Sequence, residues 1–108
     1  MSAFEDRYKS LFEFASVIGW DGYSANAVSP KVKERARYVY EYYNLYGKPH
    51  DLVLNTTGTV NFEVDCIHGW LDIHVGEDDF VAGIVTDDDK VIMPDIVRTY
   101  PDSIIAFP

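Results

Sequence analysis

The hydrophobic pattern of the chain changes its period near residue 50. Before this point apolar residues recur at helical spacing, and after it apolar and polar residues alternate as along half-buried strands. The change predicts an α+β fold in which two N-terminal helices pack on one face of an antiparallel β-meander of four or five strands. A chain of 108 residues is long enough for one core, so residues 1–108 are expected to form a single domain.

The first helix is predicted from about Ala3 to Ile18, because boundaries read from sequence carry an error of roughly two to four residues. A Ser-x-x-Glu capping box from Ser2 to Glu5 starts this helix, and Gly19 is placed to end it. Six residues at helical spacing form its apolar stripe: Phe4, Tyr8, Leu11, Phe12, Ala15 and Ile18.

The second helix begins at Ser29-Pro30, because serine caps a helix and proline fits its first turn. Gly47 is predicted to end this helix, and Pro49 prevents its continuation. The apolar stripe of the second helix consists of Val32, Ala36, Val39, Tyr40, Tyr43 and Tyr46.

The loop between the helices, Trp20-Asp21-Gly22-Tyr23-Ser24-Ala25, has neither a helical nor a strand period, and Asp-Gly marks a turn in it. Its aromatic residues either close one end of the core or hold a binding loop. Together with Ser29-Pro30, this segment resembles a family of small, uncharacterised bacterial and phage proteins. In that family a Trp-Asp-Gly-Tyr-Gly-Ala segment precedes a Ser-Pro helix start and a β-meander, and Ser24 stands where the family has glycine. The resemblance implies a phage or mobile-element origin and no particular activity.

The clearest strand signal is a hairpin between Val60 and Val75. Apolar and polar residues alternate on both sides of His68-Gly69, which predicts a two-residue turn at these positions. One face of the hairpin is then apolar and requires a cover. That face consists of Phe62, Val64, Cys66, Leu71, Ile73 and Val75.

The other face of the hairpin is acidic. The predicted turn places Asp65 opposite Asp72 and Glu63 opposite His74. Two carboxylates opposite each other repel, so this arrangement lowers stability and hints at a function.

Further strands are expected on both sides of the hairpin, at Leu52–Leu54, Phe80–Val85 and Val91–Met93, with turns at Asn55–Gly58, Glu77–Asp79 and Asp87–Asp89. Gly83 indicates a bulge or a close approach of backbone. The segment from Pro94 to Tyr100 is compatible with a short C-terminal helix. The apolar tail Ser103–Phe107 is expected to dock, or to pair with an edge strand or a second subunit.

Charge is distributed unevenly along the chain, whose formal net charge is −9. Residues 1–50 contain six acidic and seven basic residues, whereas residues 51–108 contain twelve acidic residues and two basic ones, Lys90 and Arg98. Phosphate contacts need Lys and Arg, so the acidic half argues against direct binding of nucleic acid or an anionic membrane. It is compatible with binding a basic protein surface, with cation binding, or with solubility alone.

Cys66 is the only cysteine, so the fold cannot depend on an intrachain disulfide. Its place on the apolar hairpin face predicts a small buried hydrophobe. No apolar run reaches membrane-spanning length, and no basic leader precedes an apolar segment. A cytoplasmic protein without a membrane partner is therefore expected.

The acidic hairpin face is the best candidate for chemistry. Glu63 and His74 form a candidate acid-base pair, and with Asp65 and Asp72 a candidate site for a divalent cation. A flat, exposed sheet face by itself supplies neither convergent ligands nor the hydrogen bonds that orient them. No glycine-rich phosphate loop or nucleophile elbow occurs in the sequence. We therefore expect no catalytic residues, no cofactor and no metal, with a small metal-binding or ligand-binding domain as an alternative.

The favoured hypothesis is a non-enzymatic binding protein whose acidic sheet face meets a basic surface on another protein. Such surfaces often belong to nucleic-acid-handling proteins, so its sharp form is a phage-type inhibitor that occupies a nucleic-acid site. An antitoxin or immunity-type partner protein is a further alternative, and a homodimer is compatible with the tyrosine-rich second helix. The expected partner-binding residues are Glu63, Asp65, Trp70, Asp72, His74, Glu77, Asp78 and Asp79.

Overall fold

The sheet is a five-stranded antiparallel meander with two helices on one side. The computed structural model describes residues 3–67, 69–86 and 91–100, and for residues 91–99 it describes the backbone. The strands are ordered β1-β2-β3-β4-β5, so each pairs with its neighbours in the chain. This architecture confirms the predicted α+β fold. Its elements are α1 (Ala3–Phe14), α2 (Pro30–Tyr42), β1 (His50–Leu54), β2 (Val60–Cys66), β3 (Gly69–Val75), β4 (Asp79–Thr86) and β5 (Val91–Thr99).

The core lies between the helices and the apolar face of the sheet. The ring centroids of Phe4 in α1 and Tyr40 in α2 lie 5.6 Å apart, and those of Tyr8 and Phe62 in β2 lie 6.2 Å apart. Burying this apolar area, at about 25 cal/mol per Å², is the main force that holds the two layers together. The most completely buried large side chains are Phe4, Phe62, Phe80, Leu45, Ile73, Val39, Val60 and Val75.

Helix α1 ends at Phe14, four residues before the predicted end at Ile18. The Ser16 hydroxyl donates to the carbonyl of Glu13 at 2.7 Å, and the Ala15 carbonyl accepts from the backbone amide of Val28 at 2.8 Å. The carbonyls of Glu13 and Ala15 thus accept from these groups, and not from the amides of a further helical turn. The prediction that Ile18 belongs to the buried stripe is wrong, because its side chain is 79% exposed.

Helix α2 begins as predicted, since the Ser29 hydroxyl accepts from the backbone amide of Val32 at 3.2 Å. Its end is five residues earlier than the prediction at Gly47. Asn44 adopts a left-handed conformation, with φ of 51°, and the amide of Leu45 donates to the carbonyl of Tyr40 at 2.9 Å. This is a Schellman cap built on asparagine instead of glycine. Tyr46 lies beyond it, exposed and not in the predicted stripe.

The hairpin between β2 and β3 has a register one pair away from the predicted one. Cys66 pairs with Gly69, so the connection consists of Ile67 and His68 and not of His68-Gly69; His68 itself lies outside the described residues. Gly69 is needed in the strand, because a Cβ there would collide with the carbonyl oxygen of Val85 on β4. The residue opposite each position is therefore two positions away from the predicted one, so the predicted faces of the strands are unchanged.

Residues 91–99 form an edge strand, so the helix compatible with Pro94 to Tyr100 is not present. Ala82 pairs with Ile96 and Ile84 pairs with Met93, which leaves two residues of β5 opposite Gly83. Proline lacks a backbone N–H and is tolerated at such a bulge on an edge strand. The predicted irregularity at Gly83 is confirmed. The turn Asp87–Asp89 and the tail Ser103–Phe107 lie outside the described residues.

Candidate functional site

Three carboxylates lie side by side across the uncovered face of the sheet. Asp51 of β1 pairs with Glu63 of β2, and Glu63 pairs with Asp72 of β3. We call Asp51, Glu63 and Asp72 the carboxylate row, and the sheet face opposite the helices the outer face. Directly opposite residues have Cβ atoms about 4.5–5.5 Å apart, so each neighbouring pair repels. The predicted pair of Asp65 with Asp72 is wrong, but the predicted repulsion is present one position away.

Asp65 and Trp70 form the next row of the outer face. They pair with each other, and Trp70 also pairs with Val85 of β4. Asp65 is exposed, and Trp70 is half-buried. An amphipathic aromatic ring thus lies next to the carboxylate row, near the tip of the hairpin.

A chain of side-chain hydrogen bonds orders the polar residues behind the row. Asn61 Oδ1 accepts from Asn55 Nδ2 at 2.6 Å and from His74 Nδ1 at 3.0 Å. Asn61 Nδ2 donates to Asp72 Oδ1 at 2.8 Å. An amide oxygen only accepts, so His74 carries a proton on Nδ1, and Nε2 is left as the acceptor of the neutral ring. This chain fixes the direction of the Asp72 carboxylate and separates His74 from Glu63, with which it was expected to pair.

Basic residues are absent from the four strands that form and flank the carboxylate row. None of the nine Lys and Arg residues of the chain lies in β1, β2, β3 or β4. Ion pairs occur instead in the helical layer, where Lys33 lies 3.2 Å from Glu5 and Lys31 lies 3.8 Å from Asp78. The negative charge of the outer face is therefore not neutralised by these strands.

The acidic connection between β3 and β4 lies beside helix α2, away from the carboxylate row. Glu77 accepts from the Ser29 hydroxyl at 2.8 Å, and its carbonyl accepts from Arg35 Nε at 3.1 Å. Asp78 faces Lys31. The structure thus separates Glu77, Asp78 and Asp79 from the other five predicted partner-binding residues.

His50 is buried in the helical layer and does not belong to the outer face. Its Nδ1 donates to the carbonyl of Lys48 at 2.7 Å, and its Nε2 bonds the hydroxyl of Tyr8. Burial raises the pKa of Tyr8 to about 12, although nearby Arg7 opposes the shift. This group locks β1 against α1 and leaves no free polar atom for chemistry.

Cys66 is exposed at the end of β2, which contradicts the prediction of a buried residue. Cys66 keeps its predicted face, but it belongs to the last pair of the hairpin and lies opposite Gly69, which has no side chain to cover it. Ile67 beside it is 91% exposed.

The loop between the helices is held by its own hydrogen bonds. Trp20 Nε1 donates to the carbonyl of Asn26 at 2.8 Å, and Asp21 Oδ1 accepts from the amide of Tyr23 at 2.9 Å. Trp20 is half-buried against the core, whereas the Tyr23 side chain is 87% exposed. Ser24 has a negative φ, so serine fits this backbone without strain. Of the two aromatic residues, Trp20 closes the core and Tyr23 points to solvent.

Asp51 is the residue that sequence reasoning missed. The first strand is predicted to begin at Leu52, but the structure begins it at His50. The usable signal is the alternation of the inward residues His50, Leu52 and Leu54, which leaves Asp51 on the outer face. A buried polar residue at the first position hides this alternation from a hydrophobicity pattern.

The described residues contain no group of three or more His, Cys, Asp or Glu side chains placed to hold a metal ion. None of the helices in the described ranges is long and apolar enough to cross a membrane. No protein-family model matches the chain, and no curated protein or solved structure matches it either.

Proposed function

We propose that this protein is a non-enzymatic inhibitor whose outer sheet face docks on a basic surface of a nucleic-acid-handling host protein. The observation that carries the proposal is the carboxylate row, Asp51, Glu63 and Asp72, with its three like charges on adjacent strands. The proposed role is of the phage type, directed at host defence or host takeover in the cytoplasm.

The energetics of the row favour a functional explanation over chance. Each directly opposed pair of like charges destabilises a sheet by a few tenths of a kcal/mol to about 1 kcal/mol. A single neutral residue in place of Glu63 would remove both repulsive pairs. A row that lowers stability is expected where binding compensates for the loss, as at many functional sites.

The chemistry of the row suits a surface that normally binds phosphates. Arg and Lys side chains that hold phosphates also bind carboxylates, Arg through two parallel hydrogen bonds. A line of carboxylates can therefore occupy such a site and exclude the nucleic acid.

Trp70 is the proposed anchor of the interface. Interface hot spots are enriched in tryptophan and are surrounded by contacts that exclude water. Trp70 is half-buried beside Asp65 and one row from Glu63, so docking of a basic surface would cover the ring together with the carboxylates. The carboxylates then steer the encounter, and the ring slows dissociation.

The decisive experiment reverses charge on the outer face and compares it with an equal reversal elsewhere. The test variant is Glu63→Lys, Asp65→Lys and Asp72→Lys, used as bait for pull-down from host lysate with mass spectrometry. The control variant is Asp6→Lys, Glu34→Lys and Glu41→Lys, which makes the same change of net charge on the helices.

Partners that bind the wild type and the control but not the test variant support the proposal, provided that nucleic acid competes with them. Circular dichroism must show that the test variant is folded. If the folded test variant retains every partner of the wild type, the outer face is not the interface.

A further inference from the structure

The end of the molecule formed by the exit of α1 and the following loop carries four exposed apolar side chains. The exposed fractions are 57% for Phe14, 59% for Val17, 79% for Ile18 and 87% for Tyr23. We call these four residues the apolar end. We propose that the apolar end is the interface of a homodimer, in which it packs against the same residues of a second copy of this chain.

The four residues are held together as one surface. Phe14 is the last residue of α1, and Val17 and Ile18 lie in the turns that follow it. The amide of Gly19 donates to the carbonyl of Ala25 at 2.7 Å, which folds the loop back on the helix exit. A Cβ at Gly19 would lie 3.1 Å from the carbonyl oxygen of Tyr23, so the Tyr23 backbone passes directly beside Gly19, the residue after Ile18.

The exposed area reaches the lower limit of what a weak dimer needs. Aromatic side chains bury about 150–250 Å² each when covered, so the fractions above correspond to on the order of 500 Å² for the four residues together. The largest apolar patch on a typical monomer is about 300–600 Å², and such a patch is often functional. Two copies would bury on the order of 1,000 Å², which is where specific interfaces begin.

Charge favours a second copy over a charged partner. Asp21 is the only charged residue between Phe14 and Ala27. Its carboxylate accepts from the amides of Tyr23 and Ala25 at 2.9 and 3.2 Å and is therefore occupied. Two apolar ends can meet without repulsion, although each chain has a formal net charge of −9.

In a twofold dimer the same patch of each copy meets the other, so a contact between two apolar ends closes on itself.

The dimer would leave the outer face free. The loop after α1 joins the turn between β1 and β2, where the amide of Asn26 donates to the carbonyl of Thr56 at 2.8 Å. Asp65 and Trp70 lie at the other end of β2 and β3, a distance of about 20 Å along strands of this length. This inference does not depend on the function proposed above, and it is tested with the purified chain alone.

The test measures molar mass by sedimentation equilibrium between about 1 and 100 µM protein, a range that brackets micromolar dissociation constants. The wild type should reach twice the monomer mass of 12.3 kDa. The double variant Ile18→Asp and Tyr23→Asp should weaken association at least tenfold and keep the wild-type circular dichroism spectrum and melting temperature. The matched control Ile67→Asp changes a side chain that is 91% exposed at the opposite end, and it should dimerise like the wild type.

Two results would overturn the proposal. The first is a wild type that stays monomeric at about 100 µM, the highest concentration of the measurement. The second is a folded double variant that associates as strongly as the wild type.

Discussion

Replacement of Glu63 by Gln should stabilise the protein, because Glu63 is the central charge of the carboxylate row. Two unit charges about 5 Å apart in water repel by about 0.8 kcal/mol, and Glu63 has such a neighbour on each side. At 0.1 M salt the Debye length of about 10 Å reduces the sum of about 1.6 to about 1 kcal/mol. At 1 M salt the Debye length is about 3 Å, and the gain should fall to about 0.3 kcal/mol.

Asp65→Asn on the same strand and the same face is the matched control. Asp65 pairs with Trp70 and has carboxylates only as more distant neighbours, so its replacement should raise stability by less than Glu63→Gln. Urea unfolding of the wild type and both variants, followed by circular dichroism at the two salt concentrations, gives the free energies of unfolding.

The comparison also decides the register of the hairpin. With the turn predicted from sequence, Asp65 would oppose Asp72, and Asp65→Asn would be the more stabilising change. The reasoning is refuted if Glu63→Gln gains no more stability than Asp65→Asn at 0.1 M salt, or if its gain does not decline with salt.

Two further predictions concern contacts between neighbouring elements. Tyr8→Phe leaves His50 Nε2 without its partner and should cost about 1–3 kcal/mol at neutral pH. Because burial raises the pKa of Tyr8 from 10.0 to about 12, the folded state holds the phenol proton more tightly. The stabilisation that this proton gives the folded state is complete below pH 10 and is lost between pH 10 and about 12. Urea unfolding at several pH values should therefore show that the free energy of unfolding falls less at alkaline pH in Tyr8→Phe than in the wild type, by at most about 3 kcal/mol. An unchanged alkaline slope would contradict the assignment. Gly69→Ala should destabilise by about 1–3 kcal/mol, because its methyl group meets the Val85 carbonyl; a variant with the wild-type urea midpoint would show that β3 and β4 are not so close.

Most of the fold could be predicted because most elements have a local signal in the sequence. The Ser29-Pro30 helix start is confirmed by its capping bond to Val32, and the alternation from Val60 to Val75 gives both strands of the hairpin. Faces were easier to predict than pairings, because a shift of the turn by one residue leaves every side chain on its face.

Helix ends and pairings depended on contacts that lie far apart in the sequence. Asn44 ends α2 because Leu45 is buried and its amide returns to Tyr40, which a preference for glycine does not reveal. Gly69 resembled a turn residue, but its requirement comes from β4. The helix expected after Pro94 was wrong because strand pairing with β4 outweighs the local preference.

The acidic character of the outer face could be predicted from the sequence, but the residues of the carboxylate row could be predicted only in part. Alternation placed Glu63, Asp65 and Asp72 on one face, and the structure keeps them there. Asp51 was missed because the polar residue His50 before it is buried and obscures the alternation. Glu77 was assigned to the outer face, although its carboxylate accepts from the Ser29 hydroxyl. The sequence of the hairpin alone indicates neither that β1 lies beside β2 nor that α2 lies beside the connection between β3 and β4.

The bulged edge strand has a consequence for assembly. A regular outer strand offers a ladder of amides and carbonyls to which another chain can add, the first step of aggregation. Here the edge strand β5 contains Pro94, and its register with β4 shifts twice. On the opposite edge, the carbonyl of His50 in β1 accepts from Arg7 at 3.2 Å. Pro94 and the bulges make the β5 border a poor template for strand addition, and the Arg7 contact occupies one carbonyl of the β1 border, so we expect association to proceed through side chains and not by extension of the β-ladder at β5.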